Sequence, residues 1–453
     1  MRISTLTVIG IALLQAGNLL AWTTPERVDR KPPGYAAYYP CIAVGRDGLP
    51  QVAWSEVLVQ HAIDKVMYAR RDGDTWTAQM NVSRDSGDIR FPAIALDSAG
   101  GAVVVWSQEG TTTIRYVRQM DDSWSLPKLC FPNKGITPRL VSDSRGQVHL
   151  LFEELTGHGG IWYSYYVPEA DTWATPIAVA TSTSPLGWSS LAVDRLDHLH
   201  AVWGDWGTYG VDYSTFDGIH WSVPEAVPDP YSDRQSCDPC VAVDTAGRPY
   251  VFWQERAGGY WLYWSYLKDS SWRVPSRFYS AEGGNPSAAG DSAGRVHAIW
   301  NCWDNNGLLH TGWTDTCWTV PETVEAGSCF ESGLAVAGSS LHAIWRRGGS
   351  LFYGRQAVPG MEERGQRDGR AGGDWLRAAA GASTLLLHLD EPETVDLMVY
   401  DATGTEVFRA RPQFLVAGTH AVSVVAADLA SGVYFCRLRA GTRVLSAKMM
   451  QTR

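Results

Sequence analysis

Residues 42–54 read IAVGRDGLPQVAW, and the phrase returns as IALDSAGGAVVVW (94–106), LVSDSRGQVHLLF (140–152), LAVDRLDHLHAVW (191–203), VAVDTAGRPYVFW (241–253), AAGDSAGRVHAIW (288–300) and the shortened LAVAGSSLHAIW (334–345). The copies end on Trp54, Trp106, Phe152, Trp203, Trp253, Trp300 and Trp345, 45 to 52 residues apart. In each, two short apolar runs rich in Val, Ile and aromatics flank a turn in which Asp caps the backbone and Gly takes the left-handed position. Alternation with period two makes each copy a hairpin, strands A and B.

Working outward, a second segment follows each of the first six copies: VMYARRDGDTW, IRYVRQMDDSW, WYSYYVPEADTW, VDYSTFDGIHW, LYWSYLKDSSW and LHTGWTDTCW, most of them leading into a stretch such as SVPEAV or TVPETV. These form strands C and D. Four antiparallel strands in about 48 residues, repeated with Trp marks, predict an all-β fold with a seven-bladed β-propeller over 22–358. The seventh copy continues into SLFYGRQAV and has no Trp-x-x-Pro segment. That segment stands instead at the start of the propeller, where Trp22 opens WTTPERV, so the N-terminal strand is expected to close the last blade and hide both sheet edges.

The 453 residues carry a formal charge of −10 and no block of Lys or Arg, which excludes nucleic acid and anionic lipid as partners. Residues 1–21, with Arg2 ahead of an apolar run, read as a secretory signal; no transmembrane segment is expected after its removal. Eight Cys in an exported chain allow disulfides, and Cys302 with Cys329 is the favoured pair. The Cys237-x-x-Cys240 pair has no partner at zinc spacing, so no metal and no cofactor is expected. His149, His200, His297 and His342 share one repeat position, which signals packing.

Residues 359–374, PGMEERGQRDGRAGGD, form a Gly-rich charged linker. Beyond it, 375–453 alternates as strands and reads as a small β-sandwich. The series VDLMVYDATGTEV, LVAGTHAVSV and ASGVYFCRLRAGTRVLSAKMM closely resembles the C-terminal type A sorting domain of the type IX secretion system, or the related Ig-like domain of hook-capping proteins, although the usual opening Asn-Pro is absent. The resemblance implies secretion or display at the bacterial outer-membrane surface, with the secretion machinery as partner. In the propeller, STFDGIHW (214–221) is similar to the Asp-box of sialidase-like propellers, with Asp217 one position late, and the repeat layout also resembles that of Trp-rich seven-bladed bacterial lectins.

Strand A starts and strand B ends on one rim, where a ligand is expected. Two residues beyond each strand-B aromatic stand Glu56, Gln108, Glu154, Asp205, Glu255, Cys302 and Arg347; the acids can bind sugar hydroxyls or simply hold their own loops. A second ring, Tyr39, Phe91, Thr137, Trp188, Asp238, Asn285 and Glu331, varies from copy to copy, as a binding surface or an unconstrained loop would. Trp206, Tyr209, Tyr231 and Trp303 share this rim. Tyr39, Glu56, Glu154, Trp188, Asp205, Trp206 and Glu255 are therefore the candidate ligand-binding residues of a monomeric recognition module for extracellular polysaccharide or glycoprotein. Two alternatives stay open. One is a sialidase-like or other glycoside hydrolase, suggested by Arg90-Phe91-Pro92, by Arg139, Arg234, Arg256 and Arg347, and by carboxylates drawn from Glu154, Asp205 and Glu255, though no catalytic residue is assignable. The other is a protein-docking scaffold.

Overall fold

The computed structural model describes residues 21–358 apart from 59–62, 85–86, 122, 133–134, 155–158, 230–234, 257, 280–281, 304–306, 315–316 and 339, together with the strands of the C-terminal region. The signal, the linker, Tyr231 and Arg234 lie outside the described residues. The chain divides into two compact units, Met1–Glu362 and Glu363–Arg453.

The first unit is a seven-bladed propeller. Blade 4 shows the pattern: strand A, Leu186–Val193; B, Leu199–Asp205; C, Gly210–Phe216; D, Glu225–Val227, hydrogen-bonded in that order. Trp54, Trp106, Trp203, Trp253, Trp300 and Trp345 are essentially fully buried between blades. Trp203, for example, packs with Leu151 and Ile161 of blade 3. Strand D is outermost, and Pro127, Pro176, Pro224, Pro275 and Pro321, which have no N–H to offer, blunt its free edge.

Closure follows the expectation from Trp22. Glu26–Arg27 pairs with Ser350–Ala357, the third strand of blade 7, with Glu26 opposite Tyr353. Thr23 N–H donates to Arg355 O at 2.9 Å, Val28 N–H to Leu351 O at 3.0 Å, and Leu351 N–H to the Asp29 carboxylate at 3.1 Å. Arg71 of blade 1 reaches Glu26 at 2.6 Å and ties the closing strand to the neighbouring blade.

The expected Cys302–Cys329 disulfide is absent; both are free thiols. Cys302 packs with Leu262 of blade 5, whereas Cys329 packs with Leu308 of blade 6. The two belong to different seams, which a reading by rim position alone could not separate.

The second unit has two sheets. Trp375–Ala378, Thr384–Leu389 and Gly418–Ser423 form one; Glu406–Arg409, Glu393–Tyr400, Gly432–Ala440 and Arg443–Gln451 form the other, with Gln413–Leu415 added to Glu393–Tyr400. Alternate residues Val395, Leu397 and Val399 are buried with Cys436 and Leu438, the inward face of an Ig-like sandwich. Among the described residues, no helix is long and apolar enough to cross a membrane.

Candidate functional site

All seven strands A carry the same irregularity. Tyr39, Phe91, Thr137, Trp188, Asp238, Asn285 and Glu331 lie at φ between 47° and 52°, each at a register shift against strand B. Side chains larger than Gly pay about 1–2 kcal/mol in this region, and a β-bulge turns the side chain out of the pleat. The second ring is therefore no unconstrained loop: its backbone is fixed seven times over while its side chains differ.

Two of the bulges are held from the preceding blade by the residue one beyond the strand-B aromatic, a position the sequence reading passed over. Ser107 accepts the Thr137 N–H at 2.8 Å. Glu153 accepts the N–H and the hydroxyl of Ser189 at 2.9 and 3.1 Å, directly after Trp188. In blade 7 the arrangement changes: Arg346 pairs with Glu331 at 3.1 Å, and Glu331 accepts the Tyr39 N–H at 2.8 Å. Burial raises the Glu153 carboxyl above its usual range, opposed by Ser189 and Arg139.

The acids two residues beyond the aromatic are placed differently from the expectation that they ring the mouth. With a side-chain period of two, they share the face of the buried aromatic and enter the seam toward the preceding blade. Glu56 is 3% exposed and Glu255 is 0% exposed, the latter accepting the Ser236 hydroxyl at 3.0 Å. Glu154 and Asp205 are half-buried, and Asp205 accepts the Gly207 N–H at 2.7 Å. Beside Asp205, the strand C residue Asp212 is pushed up to about 6 by burial and by the Asp205 charge.

What the rim presents is an aromatic strip over blades 4 to 6. Trp206, 40% exposed, meets Trp188 at 4.9 Å between ring centroids; the Arg256 guanidinium lies 6.0 Å from Trp188 and 5.8 Å from Tyr260; Tyr260 meets Trp303 edge-on at 4.9 Å. Gly284 makes room for this end, because a Cβ there would stand 3.0 Å from Trp303 and 2.8 Å from Gln254. Tyr260 escaped the sequence reading, yet it opens strand C directly after Gly258-Gly259, a loop-to-strand junction on this rim. A second cluster covers blades 7, 1 and 2: Arg346 lies 4.6 Å from Tyr38 and 4.9 Å from Phe330, and Tyr39 meets Phe91 at 4.5 Å. Tyr39 thus belongs to one cluster, and Trp188 and Trp206 to the other.

Between the clusters, Arg139 donates to the carbonyls of Ser189 and Pro138 at 2.8 and 3.2 Å. Burial of its guanidinium depresses its pKa, while Glu153 and Asp238 favour the charge. Asp238 is raised by burial, against the charges of Arg256 and Arg139.

The opposite rim is built otherwise. A cavity of about 620 Å³ is lined by the A–B hairpins of blades 1 to 3 together with the strand A residues Val193, Ala289, Ala335 and Val336 of blades 4, 6 and 7, and one of about 310 Å³ lies among the hairpins of blades 4 to 7. Their carboxylates are consumed by the turns: Asp143, Asp194, Asp244 and Asp291 each accept the N–H groups two and four residues on. The hollows are thus walled by structural turns and strand A ends, and the exposed aromatics lie elsewhere. Among the described residues, no group of three or more His, Cys, Asp or Glu is placed to hold a metal ion.

No curated protein matches the chain. Among solved structures it is similar to the polysaccharide lyase Uly1 (9% identity, TM-score 0.51, covering 70% of this chain and 89% of that one) and to a PL25 ulvan lyase (10%, 0.51, 71% and 93%). It is also similar to a fungal alcohol oxidase of the AA5 family (12%, 0.50, 96% and 100%). At these identities the likeness shows the propeller fold alone. Residues 382–451 match the family described as the secretion system C-terminal sorting domain, so the C-terminal unit is a type IX secretion sorting domain and the protein is exported to the bacterial cell surface or beyond.

Proposed function

We propose that the propeller is a non-catalytic recognition module that binds an extracellular polysaccharide across the rim formed by the strand A bulges. The observation that carries this reading is the strip Trp206–Trp188–Arg256–Tyr260–Trp303, whose exposed ring faces and edges suit stacking on sugars. Arg256 is exposed at the centre of the strip, and its planar fork suits acidic sugars. Of the residues nominated from sequence, Tyr39, Trp188 and Trp206 are the proposed contacts, with Glu154 and Asp205 at the margin; Glu56 and Glu255 support the seams beneath.

A second reading, glycoside hydrolysis, is favoured by the Asp205–Asp212 pair, in which Asp212 is poised near 6 as an acid would be. Affinity electrophoresis against neutral and acidic polysaccharides separates these readings. Binding without turnover, weakened about tenfold or more by Trp188→Ala or Trp206→Ala, is expected for the recognition module. Turnover abolished by Asp212→Asn would establish the hydrolase. Neither binding nor turnover would leave the scaffold reading.

A further inference from the structure

Two residues beyond the bulge, six of the strands A carry a small residue: Cys41, Ala93, Ser190, Cys240, Ser287 and Gly333. Two of these tie one innermost strand to the next. The Ser190 hydroxyl accepts the Val241 N–H at 3.3 Å, and the Ser287 hydroxyl accepts the Leu334 N–H at 3.0 Å. Blade 3 departs from the pattern, because Arg139 holds this position. Its charge is felt by Cys41 in blade 1 and by Asp238 in blade 5, two blades away on either side, which sets the guanidinium near the propeller axis.

Arg139 has an incomplete set of partners there. Nε donates to the Ser189 carbonyl and Nη1 to that of Pro138, which uses two of the five N–H groups that a guanidinium carries. The carboxylates whose charges it feels are engaged elsewhere: Glu153 accepts from Ser189, and Asp238 feels Arg256 more strongly than Arg139. Among the described residues Arg139 forms no salt bridge, and it is only half-buried. A guanidinium does not shed its proton, so this one remains a desolvated cation without a matching anion, an unfavourable arrangement that an entering anion relieves.

We infer that Arg139 anchors a carboxylate site at the axial end of the aromatic strip, and that the polysaccharide bound there carries uronic acid units. The inference rests on the recognition reading proposed above and names the class of sugar. Ser189, which accepts from Arg139, directly follows Trp188, and Arg256 lies 6.0 Å from the Trp188 ring. A sugar stacked on Trp188 therefore has a guanidinium from blade 3 and another from blade 5 within reach of its acid group. The three N–H groups left on Arg139 suffice for both oxygens of a carboxylate. Asp238 opposes them: it feels both arginines and repels an entering acid, so it holds the affinity below what the two cations alone would give.

The test is calorimetric titration of the full chain at low salt with trigalacturonic acid and with its methyl ester, which keeps the sugar faces and removes the charge. The wild type is expected to bind the acid about tenfold or more tighter than the ester, the factor that a charge-assisted hydrogen bond supplies. Arg139→Gln should bring the two affinities within about twofold, whereas an Arg139 that only supports Ser189 would change both together. Asp238→Asn keeps a residue tolerant of the left-handed bulge and should strengthen acid binding about threefold or more while leaving the ester unchanged. Equal wild-type binding of acid and ester, a preference that survives Arg139→Gln, or weaker acid binding in Asp238→Asn would each overturn the carboxylate site. Equal binding that is lost in Trp206→Ala would do so while leaving recognition by the strip standing; no binding of either trisaccharide would count against both.

Discussion

Glu153 offers a direct test of how the rim is built. Its carboxylate serves two Ser189 donors, one of them the backbone N–H that follows the bulge at Trp188. Glu153→Ala leaves that buried N–H without its acceptor, a loss of about 1–3 kcal/mol, and the hydroxyl loses a charge-assisted bond of similar weight. Against this, the variant removes a carboxylate that burial disfavours. The net expectation is about 2 kcal/mol of destabilisation, a fall in Tm of about 4 °C for a domain of this size. Glu153→Gln is the discriminating control. It keeps an acceptor for Ser189 and removes the charge, so its Tm should stay within about 1 °C of wild type. Both variants lose the attraction to Arg139, so the difference between them isolates the acceptor. The assay is paired thermal melting at pH 7 with polysaccharide affinity, where Glu153→Ala should also weaken binding by releasing Trp188. If Gln proved as damaging as Ala, or Ala melted like wild type, the acceptor argument would fail.

Two other expectations follow from particular contacts. Gly146 lies at φ +81° in the blade 3 hairpin, and a Cβ there would stand 2.4 Å from the Ser98 backbone; Gly146→Ala should cost about 2 kcal/mol or more in chemical unfolding, whereas Gly48→Ala, at φ +75° in open space, should cost only about 1 kcal/mol. Burial and the charges of Arg355 and Arg71 lower His342 to about 4, so this residue should withdraw stability as pH falls from 6.5 toward 4, to a limit of about 3 kcal/mol; His342→Gln should flatten the melting profile over that interval.

The ring architecture is legible along the chain. Seven phrases ending in a buried aromatic, and one Trp-x-x-Pro segment displaced to the other end of the chain, leave only a closed ring as a way to cover every sheet edge, and Glu26 opposite Tyr353 is that closure. The reason is local: strand alternation and turn chemistry are written within a few residues. The export domain was legible on the same ground, as a short ordered series of strands. The same alternation also carried a signal that the sequence reading did not use. Phe152 faces one seam, so Glu154 shares that seam and Glu153 faces the other; the count that nominated Glu154 should have nominated Glu153 as a support. Which rim residues meet is set by the packing of the blades. Trp188, Arg256 and Trp303 come from three blades, and their approach depends on a left-handed bulge at Trp188 that non-Gly sequence disfavours and the preceding blade enforces. Contacts between elements tens of residues apart are fixed by how blades pack around an axis, and no periodicity along the chain records that distance.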